Sequence, residues 1–130
     1  MVKIVVDSSV IIAILTHESD AEAWLGQLAS ASGLCISAVN ALETRIVLEM
    51  GRRLDPARFD DLLSRWKIDI VPFDEALSNL AFEAYRRFGK GRHPARLNMG
   101  DCAAYALAKA RGWPLLFKGD DFNQTDIERA

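Results

Sequence analysis

The chain has 130 residues, of which 50% are hydrophobic and 26% charged, and its formal net charge at pH 7 is -2. This length predicts one domain. The net charge argues against a protein that binds polyanions through bulk positive charge, although the charges of an acidic site and of a basic rim around it can cancel in the net charge. We recognise no secretory leader and no run near the roughly 20 apolar residues of a membrane span, so a cytoplasmic protein is expected.

The first predicted element is a strand over residues 2–6, where β-branched residues are apolar on both faces, as in a covered parallel strand. The strand ends at Asp7, and Ser8 and Ser9 then lead into an apolar segment that predicts a helix. Because open α/β sheets bind ligands at the carboxyl ends of their strands, Asp7 is a candidate site residue with two hydroxyl donors beside it. Asp7 could equally cap the following helix, and this stretch alone does not separate the two roles.

The second unit is a short strand over residues 34–36 and a helix over residues 38–50. A 3.6-residue spacing predicts that one face of this helix is buried. Glu43 falls inside that stripe, where a carboxylate must be neutralised, paired or bound to a cation. The alternative is that Glu43 lies at the edge of the stripe and reaches water. The residues of the stripe are Val39, Leu42, Ile46, Val47 and Met50.

A further helix, strand and helix follow in the middle of the chain. Asp55-Pro56 predicts the start of one helix, residues 68–71 predict a strand, and Asp74 predicts the cap of a longer helix. Aromatic residues at helical spacing on the longer helix indicate core packing rather than a base-stacking platform. Its predicted inner face consists of Leu77, Leu80, Ala81, Ala84, Tyr85 and Phe88.

The connection after that helix, residues 89–98, is rich in glycine and in basic side chains. Cationic groups on a flexible loop suit contacts with phosphate oxygens, although a charged run can also be a solvated loop and nothing more. The candidate phosphate-binding side chains are Lys90, Arg92, His93 and Arg96.

The last part of the chain predicts a helix over residues 98–110 and a strand over residues 114–117. Asp101 lies in the first helical turn, where the helix dipole stabilises an anion by about 0.3–1 kcal/mol, an effect that alone could explain an Asp there. Asp120 and Asp121 lie in the turn after the strand, and Thr125-Asp126 predicts the cap of a short terminal helix.

The alternation of strands and helices predicts an α/β fold with one parallel sheet covered on both faces. In that topology Asp7, Glu43, Asp101 and the Asp120-Asp121 turn open onto the same edge of the sheet. Two like charges ~4 Å apart cost about 4 kcal/mol at an effective dielectric constant near 20, so these acids require a cation or a raised pKa. Oxygen-only ligands favour Mg²⁺ or Mn²⁺ over zinc, and such an ion suits phosphodiester hydrolysis.

Four motifs follow one another along the chain: Val5-Val6-Asp7-Ser8-Ser9, Ala41-Leu42-Glu43, Asn98-Met99-Gly100-Asp101-Cys102, and Leu115 to Phe122 with Thr125-Asp126-Ile127. Together and in this order they resemble the PIN-domain proteins of the VapC toxin type. The resemblance spans nearly the whole chain and implies a single PIN-like domain, residues 1–130, with a parallel sheet of four to five strands. It also implies a Mg²⁺-dependent endoribonuclease, with Mn²⁺ as a plausible substitute, that is the toxin of a type II toxin–antitoxin pair. Such a toxin is expected to be a homodimer and to be held inactive by its cognate antitoxin.

The family's acidic residues fall on Asp7, Glu43 and Asp101 by motif position. Many relatives have the fourth acid three residues before a phenylalanine, and this chain has Gly119 there. The resemblance therefore assigns the fourth acid to Asp121, with Asp120 as the alternative.

The resemblance also implies a role for each group. Asp7 and Asp101 would bind the metal directly, while Glu43 and Asp121 would hold its water molecules or a second ion. Ser9 matches the family's hydroxyl residue next to the metal site. The basic side chains of the loop, Lys90, Arg92, His93 and Arg96, would contact the RNA backbone.

Two other classes of protein remain open on the sequence. A phospho-accepting receiver-like signalling module has similar length and alternation, and Lys118 could imitate the lysine after its last strand. Such a module, however, needs a phosphoryl-accepting Asp at the end of its middle strand, where this chain has Val71-Pro72. The other alternative is a catalytically inactive PIN-like domain that only binds a partner.

Overall fold

Four strands form one parallel sheet at the centre of the computed structural model, which describes residues 2–130. The strands are β1 (Lys3–Val6), β2 (Gly33–Ser37), β3 (Ile68–Val71) and β4 (Leu115–Leu116), and their order across the sheet is β3-β2-β1-β4. Every pairing is parallel, and β1 lies between β2 and β4. The predicted α/β fold with a parallel sheet of four to five strands is confirmed.

Helices cover both faces of the sheet because side chains of β1 alternate between two cores. Ile4 and Val6 enter one core and Val5 enters the other. None of the helices within residues 2–130 is long and apolar enough to cross a membrane. The helices are α1 (Ser8–Leu15), α2 (Ala21–Ser30), α3 (Ala38–Arg45) with a π-helical continuation (Ile46–Gly51), α4 (Ala57–Trp66), α5 (Glu75–Phe88) and α6 (Met99–Arg111).

The prediction of which face of α3 and its π-helical continuation is buried is wrong. Leu42, Ile46 and Met50 are 59%, 53% and 75% exposed. The face turned to the protein interior instead carries small and polar residues, which allow α3 to approach α6 closely enough for Asn40 Nδ2 to donate a hydrogen bond to the Gly100 carbonyl at 3.0 Å. The buried residues of this segment are Asn40, Ala41, Thr44 and Leu48. On α5, likewise, Leu80 and Tyr85 are exposed, whereas the rest of the predicted inner face is buried.

The terminal segment is extended and does not form the predicted short helix. The backbone N–H of Leu115 donates to the Glu128 carbonyl, and the N–H of Ala130 donates to the Leu115 carbonyl, both at 2.9 Å. This single parallel bridge places the segment beside β4. Asp126 caps no helix, because its carboxylate accepts a hydrogen bond from the Tyr105 hydroxyl and pairs with Lys109 at 3.0 Å.

Candidate active site

Asp7 lies at the carboxyl end of the central strand, as the sequence predicts, and it also caps α1. Its Oδ2 accepts hydrogen bonds from the Ser9 backbone N–H at 3.1 Å and from Ser9 Oγ at 2.6 Å. The side chain is only 5% exposed. The pKa of Asp7 is raised to about 6, mainly by burial and to a lesser extent by the negative charges of Glu43 and Asp121, against the opposing effect of the Ser9 hydrogen bonds.

Glu43 projects from α3 towards the start of α6, where two neighbours fix its carboxylate. Ser8 Oγ donates a hydrogen bond to Glu43 Oε1 at 2.6 Å. A Cβ atom at position 100 would lie 2.7 and 2.9 Å from the two carboxylate oxygens, so the carboxylate occupies this place only because residue 100 is Gly. Neither contact was predicted from the sequence. The sequence shows the Ser8-Ser9 pair and the Gly100-Asp101 pair, but it does not show that Ser8 and Gly100 contact Glu43, which lies far from both along the chain.

Asp101 occupies the first turn of α6 and takes part in its capping box. The Asp101 backbone N–H donates to Asn98 Oδ1 at 2.8 Å, and the Asn98 N–H donates to Asp101 Oδ2 at 3.0 Å. Burial raises the pKa of Asp101 to about 7, and the charges of Asp7, Asp121 and Glu43 contribute in the same direction. The four acids therefore lie within electrostatic range of one another at one edge of the sheet.

The turn after β4 carries the two candidates for the fourth acid. Gly119, with φ of +101°, adopts a left-handed conformation that reverses the chain after the strand. The charge of Asp121 contributes to the raised pKa of both Asp7 and Asp101. Asp120 instead accepts a hydrogen bond from Asn123 Nδ2 at 3.1 Å within the turn. This electrostatic arrangement favours Asp121 over Asp120 as the fourth member of the cluster.

A cleft of about 420 Å³ lies between the basic loop and three of the acids. Lys90 and Arg96 line this cleft together with Asp101, Asp120 and Asp121. Their cationic groups are therefore next to the acids, in the arrangement that an anionic polymer crossing the acidic edge requires.

The other two basic candidates have different surroundings. Arg92 lines a separate cavity beside Phe82, and its Nε donates to the Arg86 carbonyl at 3.4 Å. His93 packs edge-on against Phe88 with 5.1 Å between ring centroids, and its Nδ1 accepts a hydrogen bond from the Ala95 N–H at 3.0 Å. These contacts of His93 therefore stabilise the conformation of the loop.

The donor chemistry of the acidic cluster fits a hard divalent cation. All four acids offer carboxylate oxygens, and a cation would offset the burial, and the smaller effect of like-charge repulsion, that raise the pKa of Asp7 and Asp101. Within residues 2–130, no three Asp, Glu, His or Cys side chains are arranged to hold a metal ion as they stand, so the acids would have to approach one another to bind a cation, and the structure shows an acidic cluster rather than a formed metal site. Lys118 does not neutralise it, because its ammonium pairs with Glu18 at 2.7 Å and with Asp20 at 3.1 Å. Because its ammonium is paired in this way, Lys118 does not resemble the lysine of a phospho-accepting receiver-like module.

Comparisons with known proteins agree with this combination of fold and acidic edge. The PIN domain family model matches residues 4–128. The ribonuclease VapC of Mycolicibacterium smegmatis is 47% identical over 124 residues, covering 95% of this chain and 96% of the relative. The ribonuclease VapC28 of Mycobacterium tuberculosis is 45% identical over 130 residues, covering 97% and 96%. The chain belongs to the PIN-domain family and, within it, to the VapC ribonucleases.

Solved structures of low identity share the fold. Mycobacterium tuberculosis VapC20, described as a Sarcin-Ricin loop cleaving toxin, aligns with a TM-score of 0.77 at 18% identity over 98% of both chains. A toxin–antitoxin complex from Klebsiella pneumoniae aligns with a TM-score of 0.74 at 15% identity, covering 95% of this chain and 93% of the other. The resemblance found in the sequence is confirmed, and the enzyme is an endoribonuclease of the VapC family, a class that generally depends on a divalent metal ion.

Proposed function

We propose that this chain hydrolyses RNA phosphodiester bonds with a Mg²⁺ ion held at the acidic edge by Asp7, Glu43, Asp101 and Asp121. One observation carries the proposal: burial raises the pKa of Asp101 to about 7, and the charges of Asp7, Asp121 and Glu43 all act on it in the same direction. A cation would offset both effects, and oxygen ligands select Mg²⁺, with Mn²⁺ as the substitute.

The four acids have different proposed roles in binding the metal ion and its water molecules, according to their surroundings. Asp7 and Asp101, which carry the raised pKa values, gain most from a cation and are proposed as its direct ligands. Glu43 and Asp121 hold water molecules around the ion, and one of them orients the attacking water. Ser9, the hydroxyl residue next to the site, orients the Asp7 carboxylate through its 2.6 Å hydrogen bond. The bound ion lowers the pKa of water and neutralises charge on the phosphate.

The basic loop positions the RNA backbone. Lys90 and Arg96 share the cleft with Asp101 and Asp121, so they are proposed to contact the phosphates next to the scissile bond. Arg92 and His93 complete the proposed RNA contacts, with Arg92 meeting a more distant part of the strand because it lines a different cavity.

The Asp101→Asn variant tests the proposal. Cleavage of a labelled RNA oligonucleotide pool should fall by more than about 100-fold, because a neutral amide is a poor ligand for a hard cation. The Tm should stay within a few degrees, because the amide oxygen can still accept the Asn98 N–H and the substitution removes like-charge repulsion. The exposed Asp69→Asn on β3 is the control. Wild-type cleavage by Asp101→Asn would overturn the assignment.

The proposal includes a cognate antitoxin as the protein partner. The neighbouring folds include toxin–antitoxin complexes, which supports a partner of that kind. Induction of this chain in a bacterial host should arrest growth, and co-expression of a small protein from the adjacent reading frame should restore it. Growth arrest by the Asp101→Asn variant equal to that of wild type would separate toxicity from RNA cleavage and contradict the proposal.

A homodimer is proposed through an apolar face formed by α3, its π-helical continuation, α5 and the start of α6. Among the described residues, five of the nine exposed large hydrophobic side chains line two adjoining apolar hollows that share Val39 and Met99. An apolar surface of that extent on one side of a domain usually marks an interface. The five residues are Leu42, Ile46, Phe82, Tyr85 and Met99.

The Phe82→Glu variant should be monomeric in sedimentation experiments at concentrations where the wild type is a dimer, because it places a charge on this apolar face. Ile70→Glu is the control, since Ile70 is 43% exposed on β3, outside the face. A wild-type protein that stays monomeric at ~100 μM, or a dimeric Phe82→Glu variant, would contradict the proposed interface.

A further inference from the structure

A chain of two hydrogen bonds connects the backbone of Lys118 to the carboxylate of Asp7. The Lys118 N–H donates to Ser9 Oγ at 3.0 Å, and Ser9 Oγ donates to Asp7 Oδ2 at 2.6 Å. Because a backbone N–H can only donate, the Ser9 hydroxyl must accept from it, and its own proton is left for Asp7. The position of the Lys118 peptide therefore sets the direction of the Ser9 hydroxyl.

The side chain of Lys118 is held at its other end by two carboxylates. Its Nζ lies 2.7 Å from Glu18 Oε1 and 3.1 Å from the Asp20 carboxylate. Both acids belong to the turn between α1 and α2, and the Glu18 N–H is itself bonded to the Ala13 carbonyl at 3.0 Å. Lys118 thus bridges both ends of α1, with its amide at the first turn and its ammonium beyond the last turn.

Lys118 is also the last residue before the turn that carries the fourth acid, and both its backbone and its side chain are held by the contacts described above. Phe117, which precedes it, is 1% exposed. Gly119, which follows it with φ of +101°, begins the exposed turn that contains Asp121. A shift of the Lys118 peptide would therefore reach both Asp7, through Ser9, and Asp121, through the chain.

We propose that Lys118 is a positioning residue for the acidic site, because its ion pairs with Glu18 and Asp20 fix the peptide that orients Ser9 towards Asp7 and starts the Asp121 turn. The inference rests on the proposed metal site, whose residues it supports from outside. Groups that orient metal ligands in this way commonly change metal affinity by roughly 10–100-fold when they are removed.

The Lys118→Met variant tests this role, because it keeps most of the aliphatic stem and removes the ammonium. Mn²⁺ binding, measured from the electron paramagnetic resonance signal of the free ion, should weaken roughly tenfold. The kcat for an RNA oligonucleotide should fall while KM stays within about twofold, since the proposed RNA contacts of the basic loop are untouched. Lys118→Arg should restore Mn²⁺ affinity, because a guanidinium can pair with both carboxylates.

The double variant Glu18→Gln/Asp20→Asn removes the same ion pairs and leaves Lys118 in place, so it decides the question even if Lys118→Met does not fold. It should reproduce the loss of Mn²⁺ affinity. Asp60→Asn is the matched control, since it removes the Arg45–Asp60 ion pair, 2.8 Å long, from the surface of α4. Its Mn²⁺ affinity and kcat should equal those of the wild type.

Wild-type Mn²⁺ affinity in the double variant, or in a folded Lys118→Met protein, would overturn the positioning role. A wild-type protein that binds Mn²⁺ but does not cut RNA would overturn the proposed function and leave the comparison of Mn²⁺ affinities to decide on Lys118. A wild-type protein that binds no Mn²⁺ would overturn both.

Discussion

Gly100 and Ser8 determine where the Glu43 carboxylate lies, although neither is an acid. Gly100 leaves a space at the start of α6 that a Cβ atom would fill, at 2.7 Å from Glu43 Oε2. Ser8 holds the other carboxylate oxygen at 2.6 Å. The absence of one methyl group and the presence of one hydroxyl group therefore orient the side chain that α3 contributes to the site.

The Gly100→Ala variant should lose activity without losing stability. Alanine is favoured over glycine inside a helix by up to about 1 kcal/mol, and the group it would displace is the movable end of a side chain. We expect RNA cleavage to fall roughly 10–100-fold, in line with other residues that orient metal ligands, while the Tm stays within a few degrees.

Gly26→Ala provides the matched control for that experiment. Gly26 lies in α2, and a Cβ atom there meets nothing within 4 Å. This variant should retain wild-type cleavage and a wild-type or slightly higher Tm. Equal activity of the two variants would show that the space at position 100 does not matter to Glu43.

Lys90 and Arg92 differ in their distance from the acids, and kinetics should separate them. Lys90→Gln should raise KM for a single-stranded RNA several-fold at constant kcat, and reduce the slope of log affinity against log salt by about 0.7 per lost phosphate contact. Arg92→Gln should have a smaller effect, because Arg92 lines a separate cavity. A larger effect of Arg92→Gln would place the RNA across α5 instead.

The capping box of α6 connects helix stability with the site. Asn98→Ala should cost about 1 kcal/mol, equivalent to a Tm decrease of roughly 3–5 °C, and should reduce cleavage because the turn that carries Asp101 loosens. Asp74→Ala on α5 is the matched control, since Asp74 caps its helix through the Leu77 N–H at 2.9 Å. We expect the same Tm decrease there with unchanged activity.

The sequence predicts the strands well and the faces of the helices less well. The β-branched run before Asp7 identifies β1 to within one residue, and the parallel topology then predicts that Asp7, Glu43 and Asp101 share one edge. The helical period shows that Leu42 and Ile46 lie on one side of α3, but it does not show whether protein or solvent covers that side. The partners of Ser8 and Lys118 lie 35 and 100 residues away, and no local pattern reports them.

The stability of the whole molecule should depend on pH through its buried acids. Asp7 and Asp101 have folded-state pKa values of about 6 and about 7, against the usual 3.8. Between pH 4 and 7 the unfolded chain has released protons that the folded chain still holds. The free energy of unfolding of the metal-free protein should therefore fall as the pH rises through this interval.

Urea unfolding at a series of pH values, with EDTA and with excess Mg²⁺, measures this dependence. Mg²⁺ should stabilise the protein most at pH 7 and above and hardly at all near pH 4, because binding requires ionised carboxylates. The Asp101→Asn variant should show a weaker pH dependence and a smaller effect of Mg²⁺. Stabilisation by Mg²⁺ that is equal at pH 4 and pH 8 would contradict a carboxylate site.

The pairing of β1 with β4 has a consequence for biosynthesis. The Asp7 N–H is hydrogen-bonded to the Leu116 carbonyl at 2.9 Å, so the central strand is completed on one side by a segment that the ribosome makes much later than β1. A nascent polypeptide that stops before residue 115 contains neither that segment nor Asp121. On the proposed site, nuclease activity therefore cannot arise on the ribosome before residues 115–121 have been synthesised.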